Sequence, residues 1–313
     1  MKPAMKPVRK SLAMSAALLG LLATGAGSAR ADAFAQAILT IDNFRLLHSS
    51  GTAYAATDFA TLAGMNVAGA SASLGSTAMT APTQNIDIYS AVKPDIAHQF
   101  VGLPTPPRAE NDFTPFPSAT PVPGTFGYAD QYMAGTAVAM NGQSAGARTQ
   151  SRADAALQAD GSAAGSSNVG TMTSFMFMLG SADSITFAFD ATPFTQAYTT
   201  GDPSTFAMAR VTWTLNIVDE NNHSVFYFAP EQLNAMSNIN HTDSYPGDST
   251  YAPGTLSFNV STLQLAANTN YRLTISQNSD ANAYQDTAVP EPASLTLFSL
   301  GLFGAAAFMR RRR

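Results

Sequence analysis

The sequence predicts an all-β body, an antiparallel β-sandwich of jelly-roll-like kind, and three observations carry that prediction. Across residues 34–288 apolar and polar residues alternate with a period of two, the signature of half-buried strands. Turn-forming clusters interrupt the alternation every ~8–15 residues, as in sandwiches and barrels. The same span shows no sustained apolar period of 3.6 residues, so helices have little to build on.

Taken in order, residues 38–47 and 85–89 are the first strand candidates. The small-residue regions 55–81 and 135–170 admit two readings. Alternating small residues, as in 137–140 and 149–157, suit close-packed strands, while the Ala/Gly/Ser/Thr composition equally suits flexible linker. Between them, 103–127 is rich in proline and carries Phe113, Phe116 and Phe126. Proline lacks the N–H that a central strand needs, so this stretch is expected to be an extended surface excursion. Residues 172–179 and 184–189 alternate on either side of the turn 180–183.

The clearest strand is 211–217, where Val211, Trp213, Leu215 and Ile217 face one way and Thr212, Thr214 and Asn216 the other. Trp213, the single tryptophan, belongs to the inward set and is expected in the core. The cluster 219–223 then turns the chain into 225–228, which predicts a β-hairpin. Pro230 is well placed to open one or two helical turns over 230–238. Strands 255–260 and 271–275 flank a turn at 268–270.

Both ends of the chain differ from this body. Residues 1–33 have a basic start (Lys2, Lys6, Arg9, Lys10), an apolar stretch over 12–26, and small-x-small sites ending at Ala31 and Ala33. That is a secretory signal peptide, cut after Ala33 or Ala31 and read by the Sec export machinery. At the other end, Val289, Pro290, Glu291 and Pro292 lead into 17 uncharged residues, 293–309, followed by Arg310, Arg311, Arg312 and Arg313. The uncharged run is ~25 Å long as a helix, at the short end for crossing a bilayer. Four arginines do not cross hydrocarbon cheaply, so they mark a cytoplasmic stop and place the body on the far side of the membrane.

This tail resembles the PEP-CTERM sorting signal, a tripartite ending recognised by an exosortase in Gram-negative bacteria that make exopolysaccharide. The resemblance implies that residues 289–313 form the signal and that Pro290, Glu291 and Pro292 are its recognition motif. It further implies that the membrane segment is removed during sorting, leaving the protein at the cell surface or outside it. Three stretches of the body, 37–54, 192–205 and 270–279, also look like those of the exosortase-dependent surface proteins called the EDSAP family, which has no established catalytic activity to carry over.

Composition narrows the function classes. The chain has no cysteine, which excludes disulfides, thiol catalysis and cysteine-ligated metal. Its formal charge is −5. Nine of the 16 basic residues lie in the two terminal segments, against two of the 21 acidic ones, so the body alone carries about −12. Seven scattered basic residues make no electrostatic footprint for nucleic acid.

Catalytic candidates are weak, and no catalytic residue is assigned. Residues 142–146 match the G-x-S-x-G string around Ser144, but the strand-to-helix context of a nucleophile elbow is missing. His48, His98, His223 and His241 show no metal-ligand spacing and are expected in exposed loops. No pair of the 19 body carboxylates stands out as a glycosidase couple. Asp42, Asn43, Asp183, Asp190, Asp219, Glu220 and Asp286 lie near strand ends, where Ca2+ is a candidate ligand, although the D-x-[DN]-x-[DN]-G loop is absent. No metal site and no cofactor beyond that calcium are expected.

Tyr198, Tyr245 and Tyr251 fall in polar sequence and are candidate sugar contacts. The leading expectation is a non-enzymatic surface or biofilm-matrix protein associated with exopolysaccharide. The alternatives are a carbohydrate-binding module contacting that polymer and a secreted hydrolase.

Overall fold

A computed structural model describes residues 32–158, 161–201 and 204–286, with the backbone alone for 167–174. Residues 1–31 of the leader 1–33, the sorting tail and the 293–309 segment therefore lie outside the described residues, whereas Asp32 and Ala33 are described. No helix among the described residues is long and apolar enough to cross a membrane.

Fifteen strands are described: β1 (Ala33–Leu47), β2 (Phe59–Leu74), β3 (Thr77–Thr80), β4 (Gln84–Asp87), β5 (Asp95–Pro104), β6 (Gly124–Ala134), β7 (Ala147–Leu157) and β8 (Gly161–Leu179) come first. They are followed by β9 (Thr186–Thr199), β10 (Thr205–Val218), β11 (Ser224–Phe228), β12 (Ile239–Thr242), β13 (Gly247–Tyr251), β14 (Leu256–Ser261) and β15 (Asn270–Gln285). They form two antiparallel sheets. The first runs β13-β9-β1-β7-β6-β5, with β14 also on β9; the second runs β11-β10-β15-β8-β2-β3, with β12 on β10 and β4 on β2. The two inner faces share one apolar core, so the arrangement is sandwich-like.

The alternation in 211–217 is realised in β10, where Val211, Trp213, Leu215 and Ile217 are all buried. Trp213 packs on Phe189 (ring centroids 4.5 Å apart), Phe44 and Phe228. The predicted hairpin is β10–β11, paired from Leu215↔Phe228 to Val218↔Ser224. After Pro230 the chain makes a single 3-10 turn, Glu231–Leu233, rather than a longer helix. β5 extends to Pro104 and β6 begins at Gly124, so the proline-rich excursion is the loop 105–123.

The small-residue regions turn out to be largely strands. β2 and β8 pair over much of their length, including Ala72↔Gly165. A Cβ added to Gly165 would collide with the backbone oxygen of Tyr128 in the opposite sheet, and one on Gly127 with those of Ser73 and Ala164. Here the two sheets meet backbone against backbone, which only residues without bulk allow.

Both ends of the body leave at the same pole. Asp32 N–H donates to Thr200 Oγ1 (3.0 Å) and Thr200 N–H to Asp32 O (3.1 Å). At the other terminus Asp286 N–H donates to Ser204 O (3.4 Å). One short connection, between β9 and β10, thus holds the first and last described residues.

Candidate functional site

Among the described residues a close group of ionisable side chains lies on the outer face of the first sheet, under the 105–123 loop. Strand registers put it there. Tyr128 stands opposite Asp154, Asp130 opposite Arg152, and Gln36 opposite both Asp154 and Gln196. These residues alternate with the inward set of β1, β6, β7 and β9, so they point away from the shared core. The loop then covers them. Phe116 packs edge-on against Phe34 (5.8 Å), and its N–H donates to Gln36 Oε1 (3.0 Å). With Ala119, Val122, Phe126, Tyr128 and Ala156 these rings make a second small core, and Tyr198 packs beside it.

Arginines tie the loop down. Arg152, fully buried, donates through Nε to Asp154 Oδ2 (2.7 Å) and through Nη1 to the carbonyls of Asp112 and Thr114. Arg108 donates to Asp112 Oδ2 (2.7 Å) and lies 3.9 Å above the Phe116 ring centre. Partial burial opposes the charge on Asp112, yet hydrogen bonds from Thr114 and Arg108 pull its carboxyl down to about 2.

Next to this network His98, Glu110 and Asp130 converge, with one ligand atom from each lying within 4.8 Å of the others. His98 sits in the bulge where the β5–β6 register shifts, between Ile96 and Gln99. Its N–H donates to both Glu110 oxygens (2.9 and 3.1 Å), and its Nδ1 is 2.5 Å from Glu110 Oε2. The His98 ring is stacked on Tyr128 and lies against Phe100. Asp130 is fully buried, and its Oδ2 accepts from Tyr128 O–H (3.0 Å) and Asn111 N–H (2.8 Å). Burial, with the Glu110 charge second, pushes the Asp130 carboxyl up to about 7. One histidine nitrogen and two carboxylates form a donor set able to hold a proton or a divalent cation.

A second histidine is built into the opposite end of the body. His48 Nδ1 meets Asp183 Oδ2 at 2.8 Å and Nε2 meets Asp58 Oδ2 at 3.0 Å, so both nitrogens donate only when the ring is charged. Tyr54 stacks on the ring (3.6 Å) and donates its O–H to Asp183 Oδ2 (2.9 Å). His241 is buried and stacks flat on Tyr245. Of the four histidines expected in exposed loops, His223 fits best, at 79% side-chain exposure.

The three candidate tyrosines are not brought to one face. Tyr198 stands opposite Asp248 and Phe34, and so shares the outer face of the first sheet. Tyr251, three residues along β13 from Asp248, points to the inner side. Tyr245 is 68% exposed and packs on His241 in the loop before β13. Ser144 lies exposed in the connection between the antiparallel strands β6 and β7, far from the geometry of a nucleophile elbow. Among the calcium candidates, Asp42 is ion-paired to Arg148 (3.2 Å), Asp190 accepts from Ser257 (2.6 Å), and Asp183 is taken up by His48 and Tyr54. Asp219 accepts N–H groups from Asn221 and His223 in its own turn. Val289, Pro290, Glu291, Pro292 and Arg310 to Arg313 lie outside the described residues.

An acidic, cysteine-free, all-β body of two packed sheets defines a structural class and no activity. Comparison with protein families adds the particular: residues 288–313 match the PEP-CTERM protein-sorting motif. That motif indicates an exported protein sorted by an exosortase, held at the membrane before surface display. No curated protein and no solved structure matches the chain.

Proposed function

We propose that this chain is a non-enzymatic surface or extracellular-matrix protein, delivered by an exosortase to an exopolysaccharide-containing layer. The observation that carries the reading is the sorting motif over residues 288–313. In this reading residues 1–33 hold a leader read by the Sec machinery, 293–309 span the membrane until processing, and Arg310 to Arg313 stay cytoplasmic. The common pole of Asp32 and Asp286 supports it: a body whose two ends leave together can face the membrane with one end. Ala33 is fully buried as the first residue of β1, opposite Leu157 and Thr199, so cleavage after Ala31 keeps the strand whole. The EDSAP resemblance of the body is consistent with this reading.

Non-enzymatic character is supported by the site itself. Asp130 has no exposed surface for a substrate to reach.

The test is to fuse residues 289–313 to an exported reporter and express it with and without exosortase. Processing and release are expected only with the enzyme, and they should disappear when Pro290, Glu291 and Pro292 are replaced by alanine. Identical size and location in both hosts would refute the sorting claim.

One observation favours a second reading, contact with carbohydrate. An open cleft of about 440 Å³ beside the capped site is lined by Asn111, Asp112, Phe113, Tyr132, Arg148 and Gln150. Two aromatic rings among amide and guanidinium groups suit a sugar chain better than the dispersed Tyr198, Tyr245 and Tyr251 do. Retention of the protein on immobilised exopolysaccharide should fall when Tyr132 is replaced by alanine; equal elution of both proteins with the void volume removes this reading.

A further inference from the structure

We propose that His98, Glu110 and Asp130 bind a first-row divalent transition cation, Zn2+ foremost, which clamps the 105–123 loop to the first sheet. The ligands come from three separate segments: the β5 bulge, the loop itself and the middle of β6. A cation there would join by coordination what the fold joins only by packing and hydrogen bonds.

The donor set selects the class of ion. A histidine nitrogen with two carboxylates suits zinc or manganese, whereas calcium takes six to eight oxygens and magnesium keeps most of its waters. Tetrahedral zinc, with bonds of ~2.0–2.2 Å, needs neighbouring ligand atoms ~3.4 Å apart. The three ligand atoms already lie within 4.8 Å of one another, and the 2.5 Å approach of His98 Nδ1 to Glu110 Oε2 would have to open to admit the ion. Glu110 stands on a loop and its side chain is 40% exposed, so it marks the side from which an ion enters, and it is the ligand that would shift from its hydrogen bonds with the His98 N–H to make room.

The surroundings are those of an oriented site. Tyr128 O–H and Asn111 N–H hold Asp130, and the Tyr128 and Phe100 rings fix the His98 imidazole. Outer groups of this kind keep metal ligands aimed, and their loss costs ~10–100-fold in affinity. The neighbouring arginines are engaged: Arg152 with Asp154 and two carbonyls, and Arg108 with Asp112 and Thr114.

The experiment uses untagged full-length protein in detergent, stripped with chelator and titrated calorimetrically with Zn2+, Mn2+ and Ca2+. One Zn2+ per chain is expected. Binding should weaken at least ~10-fold in both Glu110→Gln and His98→Gln and stay unchanged in His223→Gln, whose histidine lies exposed in another loop. Zinc should also slow proteolysis within 105–123 in the wild type and not in the two variants. Circular dichroism of each variant in chelator checks that it folds, and Glu110→Gln, on the exposed loop, is the one expected to keep its fold. A folded wild type with no stoichiometric zinc overturns the proposal. So does zinc binding that both variants retain, or a preference for Ca2+.

Discussion

The two poles of the body solve the same packing problem in opposite ways. Read from its start, the inward face of β1 runs Ala33, Ala35, Ala37, Leu39, Ile41, Phe44 and Leu46. β10 repeats the gradient from Ala207 and Ala209 to Val211, Trp213, Leu215 and Ile217. β15, running the other way, goes from Tyr271 and Leu273 to Ala281 and Ala283. Side chains are thus large at one pole and small at the other, where both ends of the body emerge. At the large-residue pole apolar volume holds the sheets together, with a residual cavity of about 50 Å³ beside Phe44, Phe175, Trp213 and Met140. At the small-residue pole alanine buries little area, so cohesion comes from close backbone approach, and midway between the poles, level with Leu39 and Val211, a buried hydroxyl pair, Ser151–Ser279 (2.8 Å), joins the sheets. A sheet pair can therefore be sealed by filling the gap or by removing it.

The sharpest way to break this comparison is a reciprocal pair of substitutions. Trp213→Ala empties the large-residue pole beside Phe44, Phe189 and Phe228 and should cost ~3–5 kcal/mol in chemical denaturation. Gly165→Ala adds one carbon at the small-residue pole, where it meets the Tyr128 carbonyl rather than a movable side chain, and should cost ~1–3 kcal/mol. A tolerated Gly165→Ala would mean that the sheets are free to separate at that pole, and the contrast between filling and closing would collapse.

The same contrast explains what could be read from sequence. β10, β11, β14 and the start of β15 were legible because large apolar residues alternate with polar ones. The end of β8, 172–179, was legible in the same way, but β2 and the first part of β8 were not, since alanine, glycine and serine offer almost no hydropathy contrast. Their strand character depends on a partner sheet near enough to exclude anything larger. The 105–123 loop was legible as an excursion, but its role as a cap depends on Gln36, Arg152 and Asp154, which face outward and polar until Phe116 and Arg108 cover them. His98, Glu110 and Asp130 follow no motif spacing; a bulge and a loop bring them together. The one available signal was scarcity, because Glu110 is one of only three glutamates between the terminal segments. The sorting tail was fully legible, being an address read as linear sequence.

The smallest expected effect tests how the large-residue pole is fastened at its rim. Partial burial disfavours charge on His48, but the hydrogen bonds to Asp183 and Asp58 outweigh it and raise the imidazole above its ordinary 6.5. Asp183 is likewise held far below its ordinary value, its partial burial outweighed by donors from Ser49, His48, Tyr54 and Ser184. A raised folded value means that the histidine's contribution is complete below pH ~6.5 and is lost as pH rises through the folded value. The depressed carboxylate works in the other direction: its contribution is complete above pH ~4 and is lost as pH falls through its folded value. The rim is therefore tightest between those limits. The stability difference between wild type and His48→Gln should be greatest near pH 5–6 and shrink toward pH 9, by less than ~1 kcal/mol for a pair this open to solvent. A difference flat from pH 5 to 9 would show that the ring acts there by stacking on Tyr54 alone, leaving the two carboxylates no part in fastening that pole.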